Sequence, residues 1–467
     1  MENRFELLYK KLKDIVDVGR FSPAMIKVML DNLEFMSAWL ESKTFKKRYA
    51  KLPYPPLINP KDLDYTQLHP SCAWDLNLPL PYVDIVFLRS HASGATGMNV
   101  FLQKCGGIQI YCENFYGLDA RGVYMDVYLK ILEARKKMQA SSRGGGDKFI
   151  FLVVSDYAFE GDYKKYFALM PNVPAMNLVR DPILILTSLL NYKRQRDFRE
   201  IFTLACNPFA ILENRVGYGF YTDIKPMPSL ESLPFWCFDK MMCFHDALML
   251  KDCVQLRDVY YLDMQEIIGK NAHKAFIKLA RYFGLEIPQD CDERFFERRI
   301  ADFEFLLPLH IYAHSSDIEK LRYGFSNDLD ALQLEGGVTV SIRTCYALEN
   351  DEENVDITHL FFEEAIEPII ITIPLKDYER FLKEAQLRQV VGEYMQIFVK
   401  EVFAKRDREI AKRIAPKTLL EYFQTNAFMH QAFKEATERY LEVLRVKSPK
   451  IIESWVYYKE FLALKAV

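Results

Sequence analysis

The stretch from Val83 to Leu285 alternates short apolar runs with amphipathic segments of helical length, and this alternation leaves few folds open. Asp84-Ile85-Val86-Phe87-Leu88 is a buried-strand run, followed by a glycine-containing loop and a helix over 96–104 that Gly106-Gly107 stops. Residues 108–111 form a second strand. The helix over 123–139 follows, and its Arg135, Lys136 and Lys137 suit the negative end of a helix dipole. Strands at 149–154 and 175–179, a helix over 183–192, a strand at 259–262 and a helix over 272–283 continue the series. Strands and helices in this order predict an α/β domain of three layers, with a mostly parallel sheet between helices.

The flanks have a different texture. Residues 3–42 read as two helices, with Met25, Val28, Met29, Leu33 and Met36 at helical spacing. Residues 52–81 hold Tyr54-Pro55-Pro56 and Leu78-Pro79-Leu80-Pro81, a proline density that excludes regular helix. Tyr54, Leu57, Trp74 and Leu78 give this arm too much apolar surface for a free linker, so it is expected to pack on a domain. Beyond about residue 327, strands are expected at 338–342 and 369–373, then mainly helix from Leu375. The chain thus divides into a helical segment 1–50, a proline-rich arm 51–82, an α/β domain 83–326 and a mainly helical accessory region 327–467.

Composition removes several classes. A formal net charge of -3 argues against a nucleic-acid binder, which usually carries a strongly basic domain. Nine cysteines, widely separated as in Cys72, Cys105, Cys112 and Cys206 and without a C-x-x-C pair, read as reduced thiols of a cytoplasmic protein. The start lacks the pattern of a secretory signal, and the apolar stretch 182–190 is too short to span a bilayer, so no transmembrane segment is expected. His310 and His314, spaced i, i+4, would share a helix face as zinc ligands do, but no H-E-x-x-H glutamate accompanies them and a structural role is favoured. No metal site is expected. Trp236, Cys237, Met241 and Phe244 form a core-type helix stripe. Lys193, Arg194, Arg196 and Arg199 form a basic cluster that is either a solvated face or a draw for anions. Nothing in the sequence fixes the oligomeric state.

Two loops carry candidate chemistry. Arg89-Ser90-His91-Ala92-Ser93-Gly94-Ala95-Thr96-Gly97 lies between a buried strand and a helix. Free backbone N–H groups at a helix start, close approach at Gly94 and Gly97, and hydroxyls from Ser93 and Thr96 together suit a phosphate. The loop is neither G-x-x-x-x-G-K-[ST] nor G-x-G-x-x-G. An ordinary strand-to-helix turn fits it equally well. The second loop is Val179-Arg180-Asp181-Pro182, with Ser188 two turns into the next helix. Asp181 is a natural N-cap and Pro182 a natural first helical residue. Arg180 at a strand's carboxyl end, with a hydroxyl nearby, can hold a second phosphate.

These residues resemble sulfotransferases that use 3'-phosphoadenosine 5'-phosphosulfate (PAPS). Ser93-Gly94-Ala95-Thr96 is similar to the family's S-G-T-T loop, Val179 to Pro182 with Ser188 to its V-R-D-P segment and the serine eight positions after the arginine. Tyr261-Leu262-Asp263-Met264 and Tyr282-Phe283-Gly284-Leu285 are similar to its later Y-E-D-L and F-L-G-L motifs. The resemblance covers 83–285 and implies a sulfotransferase-type P-loop fold. It implies that PAPS is the donor, with Ser93, Gly94, Thr96 and Gly97 on the 5' end and Arg180 and Ser188 on the 3'-phosphate. The acceptor would be a hydroxyl of a glycan or a related small molecule. The family's Lys or Arg just before S-G-T-T is Ala92 here, so Arg89 or His91 would have to stabilise the moving group. Asp156, or else His91, stands for the base. Trp74 to Pro81, the glycine loop and V-R-D-P also resemble an uncharacterised epsilon-proteobacterial family, some members of which are labelled sugar transferases. A nucleotide-sugar glycosyltransferase and a non-catalytic nucleotide-binding scaffold remain open beside the sulfotransferase reading.

Overall fold

A computed structural model describes residues 2–112, 119–141, 148–155, 162–196, 199–213, 215–219, 224–234, 253, 255–298, 302–303, 305–322, 324–329, 336–345 and 353–465. The stripe at Trp236, Cys237, Met241 and Phe244 and the candidate base Asp156 lie outside the described residues. In chain order the strands are β1 (Ile85–Arg89), β2 (Gly107–Cys112), β3 (Phe149–Ser155), β4 (Ala175–Val179), β5 (Lys193–Gln195), β6 (Ile201–Thr203), β7 (Val216–Tyr218), β8 (Val259–Asp263), β9 (Leu309–Ala313), β10 (Val338–Thr344), β11 (Asn354–Asp356) and β12 (Ile369–Pro374). They belong to two compact units, each built from separated stretches of chain: 1–185 with 240–297 and 430–462, and 186–239 with 298–429 and 463–467.

The first unit holds a five-stranded, wholly parallel sheet in the order β2-β3-β1-β4-β8, the α/β arrangement that the alternating sequence predicts. Period-two alternation sorts its side chains between two faces. Val86, Leu88, Ile110, Ile150, Leu152, Val154 and Ala175 face a core shared with Tyr124, Val127, Tyr128 and Ile131 of the helix Ala120–Ser141. Phe87 and Phe151 point the other way, and the helices Ala95–Lys104 and Ala272–Phe283 meet each other through Phe101 and Phe276, ring centroids 5.1 Å apart. Gly107 is where a strand passes under the first of these helices: a Cβ there would stand 2.8 Å from the Leu102 carbonyl oxygen and 2.9 Å from the Phe151 ring.

The proline-rich arm closes the first face. Leu57, Trp74, Leu78 and Leu80 are buried in the same core, and side chains of the same unit bind the arm's carbonyls. Tyr124 Oη donates to Leu78 O at 2.9 Å, Tyr128 Oη to Tyr65 O at 2.6 Å, and Trp39 Nε1 to Pro56 O at 2.8 Å. The exclusion of helix from the arm is corrected: Pro70–Asp75 is helical. Pro70 stands at the first helical position, where its missing N–H would have had no partner, and the His69 side chain caps Ser71 N. The expected pair of N-terminal helices is four shorter ones, Glu2–Leu12, Pro23–Asp31, Leu33–Glu41 and Lys43–Arg48. Ser22 and Ser42 cap the second and fourth, and the break at Asn32 separates the second from the third.

The second unit is built on a mixed sheet, β11-β12-β10-β9-β6, in which only the β6–β9 pair is parallel. Val391, Tyr394, Met395, Phe398 and Val402 of the helix Ala385–Ala411 pack into its core. His310 and His314, whose spacing could also have placed them on one helix face, lie on a strand and its exit. His310 lies within β9 with its Nδ1 2.7 Å from Ser341 Oγ, and His314 Nδ1 is 2.9 Å from Ser316 Oγ. Alternate residues Leu309, Ile311 and Ala313 are buried while His310 and Tyr312 are half-buried, the period of a strand.

A buried polar cluster organises this unit. Glu409, on the Ala385–Ala411 helix, accepts from Tyr218 Oη at 2.6 Å and pairs with Lys405 at 3.1 Å and Lys412 at 2.8 Å. Burial alone would raise its pKa, but these three donors outweigh that and hold it below the usual value. Among the described residues no group of three or more His, Cys, Asp or Glu side chains could hold a metal, and no helix is long and apolar enough to cross a membrane.

Candidate functional site

The order of the first sheet fixes where a ligand would meet it. From β1 the chain moves to one edge, β2, and returns through β3; from β4 it moves to the other edge, β8. With right-handed crossovers, the connections leaving β1 and β4 diverge to opposite faces, and open α/β sheets bind ligands outside the carboxyl ends at such a point. The two loops singled out in the sequence are the segments that follow β1 and β4.

The loop after β1 is sharply bent. Ala92 has φ +60° and Gly94 has φ +100°, both left-handed. Gly94 is the N-cap of the helix Ala95–Lys104 and has a second constraint, since a Cβ there would lie 2.8 Å from Met264 Cγ. Ser93 is fully buried and donates its hydroxyl to Ser90 O at 2.7 Å, so it shapes the turn from inside. Thr96 and Gly97 lie in the helix's first turn, half-buried, with open space where a Gly97 Cβ would go. Arg89 ends β1, its guanidinium over the Tyr111 ring at 5.5 Å, and His91 is half-buried in the turn.

Arg180 joins this loop to the end of β4. Its Nη1 donates to Ala92 O at 2.6 Å. Burial pushes its pKa down to about 10, and the carboxylates of Asp181 and Asp263 oppose that shift, so it stays cationic at neutral pH. The family resemblance expects a cation at position 92 itself; the structure places the Arg180 cation against that residue's backbone instead.

Two aspartates flank Arg180 and are built alike. Asp181 follows β4 and Asp263 ends β8, the register partner of Val179. Each gives one oxygen to the N–H two residues on and the other to the segment 455–458. Asp181 Oδ1 accepts from Ile183 N at 2.9 Å and Oδ2 from Tyr458 N at 3.1 Å. Asp263 Oδ1 accepts from Gln265 N at 3.0 Å and Oδ2 from Trp455 Nε1 at 2.8 Å. Both are buried, and burial raises both pKa values against the pull of these donors. Sequence reasoning named Asp181 as a cap and Asp263 as a motif residue but missed their common tie to Trp455 and Tyr458.

The structure therefore brings the 89–97 loop, Arg180, Asp181 and Asp263 to one end of one sheet. Ser188 lies on the helix Pro182–Leu190, half-buried, but the division between the two units falls inside that helix, after Ile185, and Ser188 belongs to the second unit.

Residues 261–466, a little under half of the chain, match the model of a family described as a protein of unknown function (DUF2972). The matched stretch opens on β8 and contains Asp263, Trp455 and Tyr458. No curated protein matches the chain, and no solved structure does.

Proposed function

We propose that the first unit is a sulfotransferase-like nucleotide-binding domain of P-loop type, which moves a sulfuryl group from PAPS to a hydroxyl of a glycan or related acceptor. The observation that carries this reading is the Arg180–Ala92 bond, which puts a cation and a helix N-terminus side by side where the sheet's connections diverge. A phosphate-rich donor needs both: backbone N–H groups for one end and a fixed, permanently charged guanidinium for the other.

In this reading the first turn after Gly94, with Thr96 and Gly97, receives the 5' end of the donor, and Arg180 the 3'-phosphate. Ser93 contributes through the shape of the turn. Sulfuryl transfer is an in-line displacement: the acceptor oxygen bonds to sulfur as the bond from sulfur to the phosphate oxygen breaks, adenosine 3',5'-bisphosphate leaves, and a base takes the acceptor's proton. The protein's part is to position the partners and to offset charge on the sulfuryl oxygens. Arg89 and His91 are the candidates for the second task, and His91 or Asp156 for the base.

A thermal-shift and calorimetric panel tests the proposal on the whole chain. PAPS and adenosine 3',5'-bisphosphate are expected to raise the melting temperature, and nucleotide-sugars are not. Stabilisation by nucleotide-sugars alone overturns the sulfuryl reading in favour of a glycosyltransferase. Binding without turnover of any hydroxyl acceptor leaves a nucleotide-binding scaffold, and no binding at all removes the nucleotide.

A further inference from the structure

The segment 455–458 is better anchored than a peripheral turn. Trp455 and Tyr458 are fully buried. Tyr458 stacks on Phe461 with ring centroids 6.3 Å apart, and its hydroxyl donates to Thr437 Oγ1 at 3.2 Å. This block meets the sheet through polar bonds to two buried carboxylates, the Trp455 indole on Asp263 and the Tyr458 amide on Asp181. An apolar contact would have covered the strand ends equally well. Two charge-assisted bonds do something more specific, since they decide where each carboxylate points and which of its oxygens is taken.

Arg180 sits between Val179, the register partner of Asp263, and Asp181, and both carboxylates act on its charge. A buried carboxylate oxygen without a donor is costly and seeks a new one. Without the indole N–H, Asp263 keeps Gln265 N and the Ser454 hydroxyl as donors but loses the one that fixes Oδ2, and the nearby guanidinium becomes a competing partner for that oxygen. That pairing would draw Arg180 away from Ala92 O and offset the charge that an incoming anion needs.

We propose that Trp455 is a positioning residue of the candidate phosphate site, acting through Asp263 to keep the Arg180 guanidinium turned to the loop after β1. This rests on the reading of that site as a phosphate site, and the test separates the two. Trp455→Phe keeps a large apolar ring and removes the donor. In protein labelled with 15N at arginine, the Arg180 Nε–H resonance, assigned with Arg180→Lys, is expected to shift in Trp455→Phe. The resonance of Arg121, which pairs with Asp75 at 3.1 Å in the same unit, is expected to stay. This readout needs no ligand. Calorimetry with adenosine 3',5'-bisphosphate is expected to show binding weakened about tenfold, the scale of one charge-assisted bond. Asp263→Asn/Trp455→Phe is expected to bind no more weakly than Asp263→Asn alone. A folded Trp455→Phe with an unmoved Arg180 resonance, or additive losses in the double variant, overturns the inference. Failure of the wild type to bind overturns the phosphate reading, and the resonances then decide the positioning role alone. If Trp455→Phe does not fold, Asp263→Asn takes its place in the first measurement: it keeps an acceptor oxygen for the indole and drops the charge, so the Arg180 resonance must move or the inference falls.

Discussion

Arg180 Nη1 holds the Ala92 carbonyl at 2.6 Å, tying the end of β4 to a left-handed residue 88 positions earlier in the chain. One guanidinium thus both shapes the loop and presents charge beside it. Arg180→Ala is expected to leave the unit folded and to weaken adenosine 3',5'-bisphosphate by roughly 30- to 1000-fold, the range of a partly shielded charge-assisted contact. Adenosine 5'-phosphate lacks the contacted group and should lose much less. Calorimetry on both proteins with both ligands checks this, and equal losses would assign Arg180 to another part of the nucleotide.

The two glycines of the loop are expected to respond in opposite directions. Gly94 has φ +100° and no room for a Cβ, so Gly94→Ala should cost about 1–3 kcal/mol. Met264→Ala, by removing the atom 2.8 Å away, should return only the steric part. Gly97→Ala meets nothing within 4 Å and should stabilise by about 0.5 kcal/mol. Because its methyl would fill the space beside the first helical turn, it should also weaken a bound phosphate. Thermal melts with and without ligand separate the effects.

Acid should act on Asp263 in the sense opposite to ordinary acid denaturation. Burial raises its folded pKa above the unfolded value, so the native state binds the proton more tightly. Its contribution therefore grows as pH falls through the folded pKa and is complete below the unfolded one. Asp263→Asn does not titrate. The stability of the wild type minus that of this variant, from urea melts between neutral pH and about pH 4, should rise as pH falls.

Glu409 should show the reverse. Its donors hold it below the usual carboxylate value despite burial, so its contribution is present above the unfolded pKa and lost as pH falls through the folded one. Glu409→Gln takes from Lys405, 2% exposed, its buried partner but leaves it Glu213 O at 3.0 Å and the Glu213 carboxylate at 3.4 Å, and should cost about 1–3 kcal/mol at neutral pH. The gap to the wild type should narrow on acidification, measured by the same melts.

Much of this architecture is written locally. Strands β1 and β3 are buried on both faces and so appear as apolar runs up to their last residue, β4 does so apart from the buried Asn177, and the helix Ala272–Phe283 ends where Gly284 takes φ +73°. The spacing of His310 and His314 left a helix face open because a spacing of four returns to one side of a helix and of a strand alike; the alternation of Leu309, Ile311 and Ala313 was the better guide. Pro70 broke the rule that excluded helix from the arm because that rule holds for helix interiors, not first positions. The candidate loops were visible as strand-to-helix turns with suitable residues. The Trp455–Asp263 and Tyr458–Asp181 bonds were not, for an indole and a backbone amide carry no motif and their partners lie 192 and 277 positions away.

That separation gives the site a place in time as well as in space. During synthesis β1, β4 and β8 all leave the ribosome long before residue 455, and through that interval Asp181 and Asp263 lack the donors that residues 454–458 supply. The strand ends are completed only when the polypeptide has grown past Tyr458. A nascent chain arrested anywhere between β8 and that point would carry the loops without their fastening.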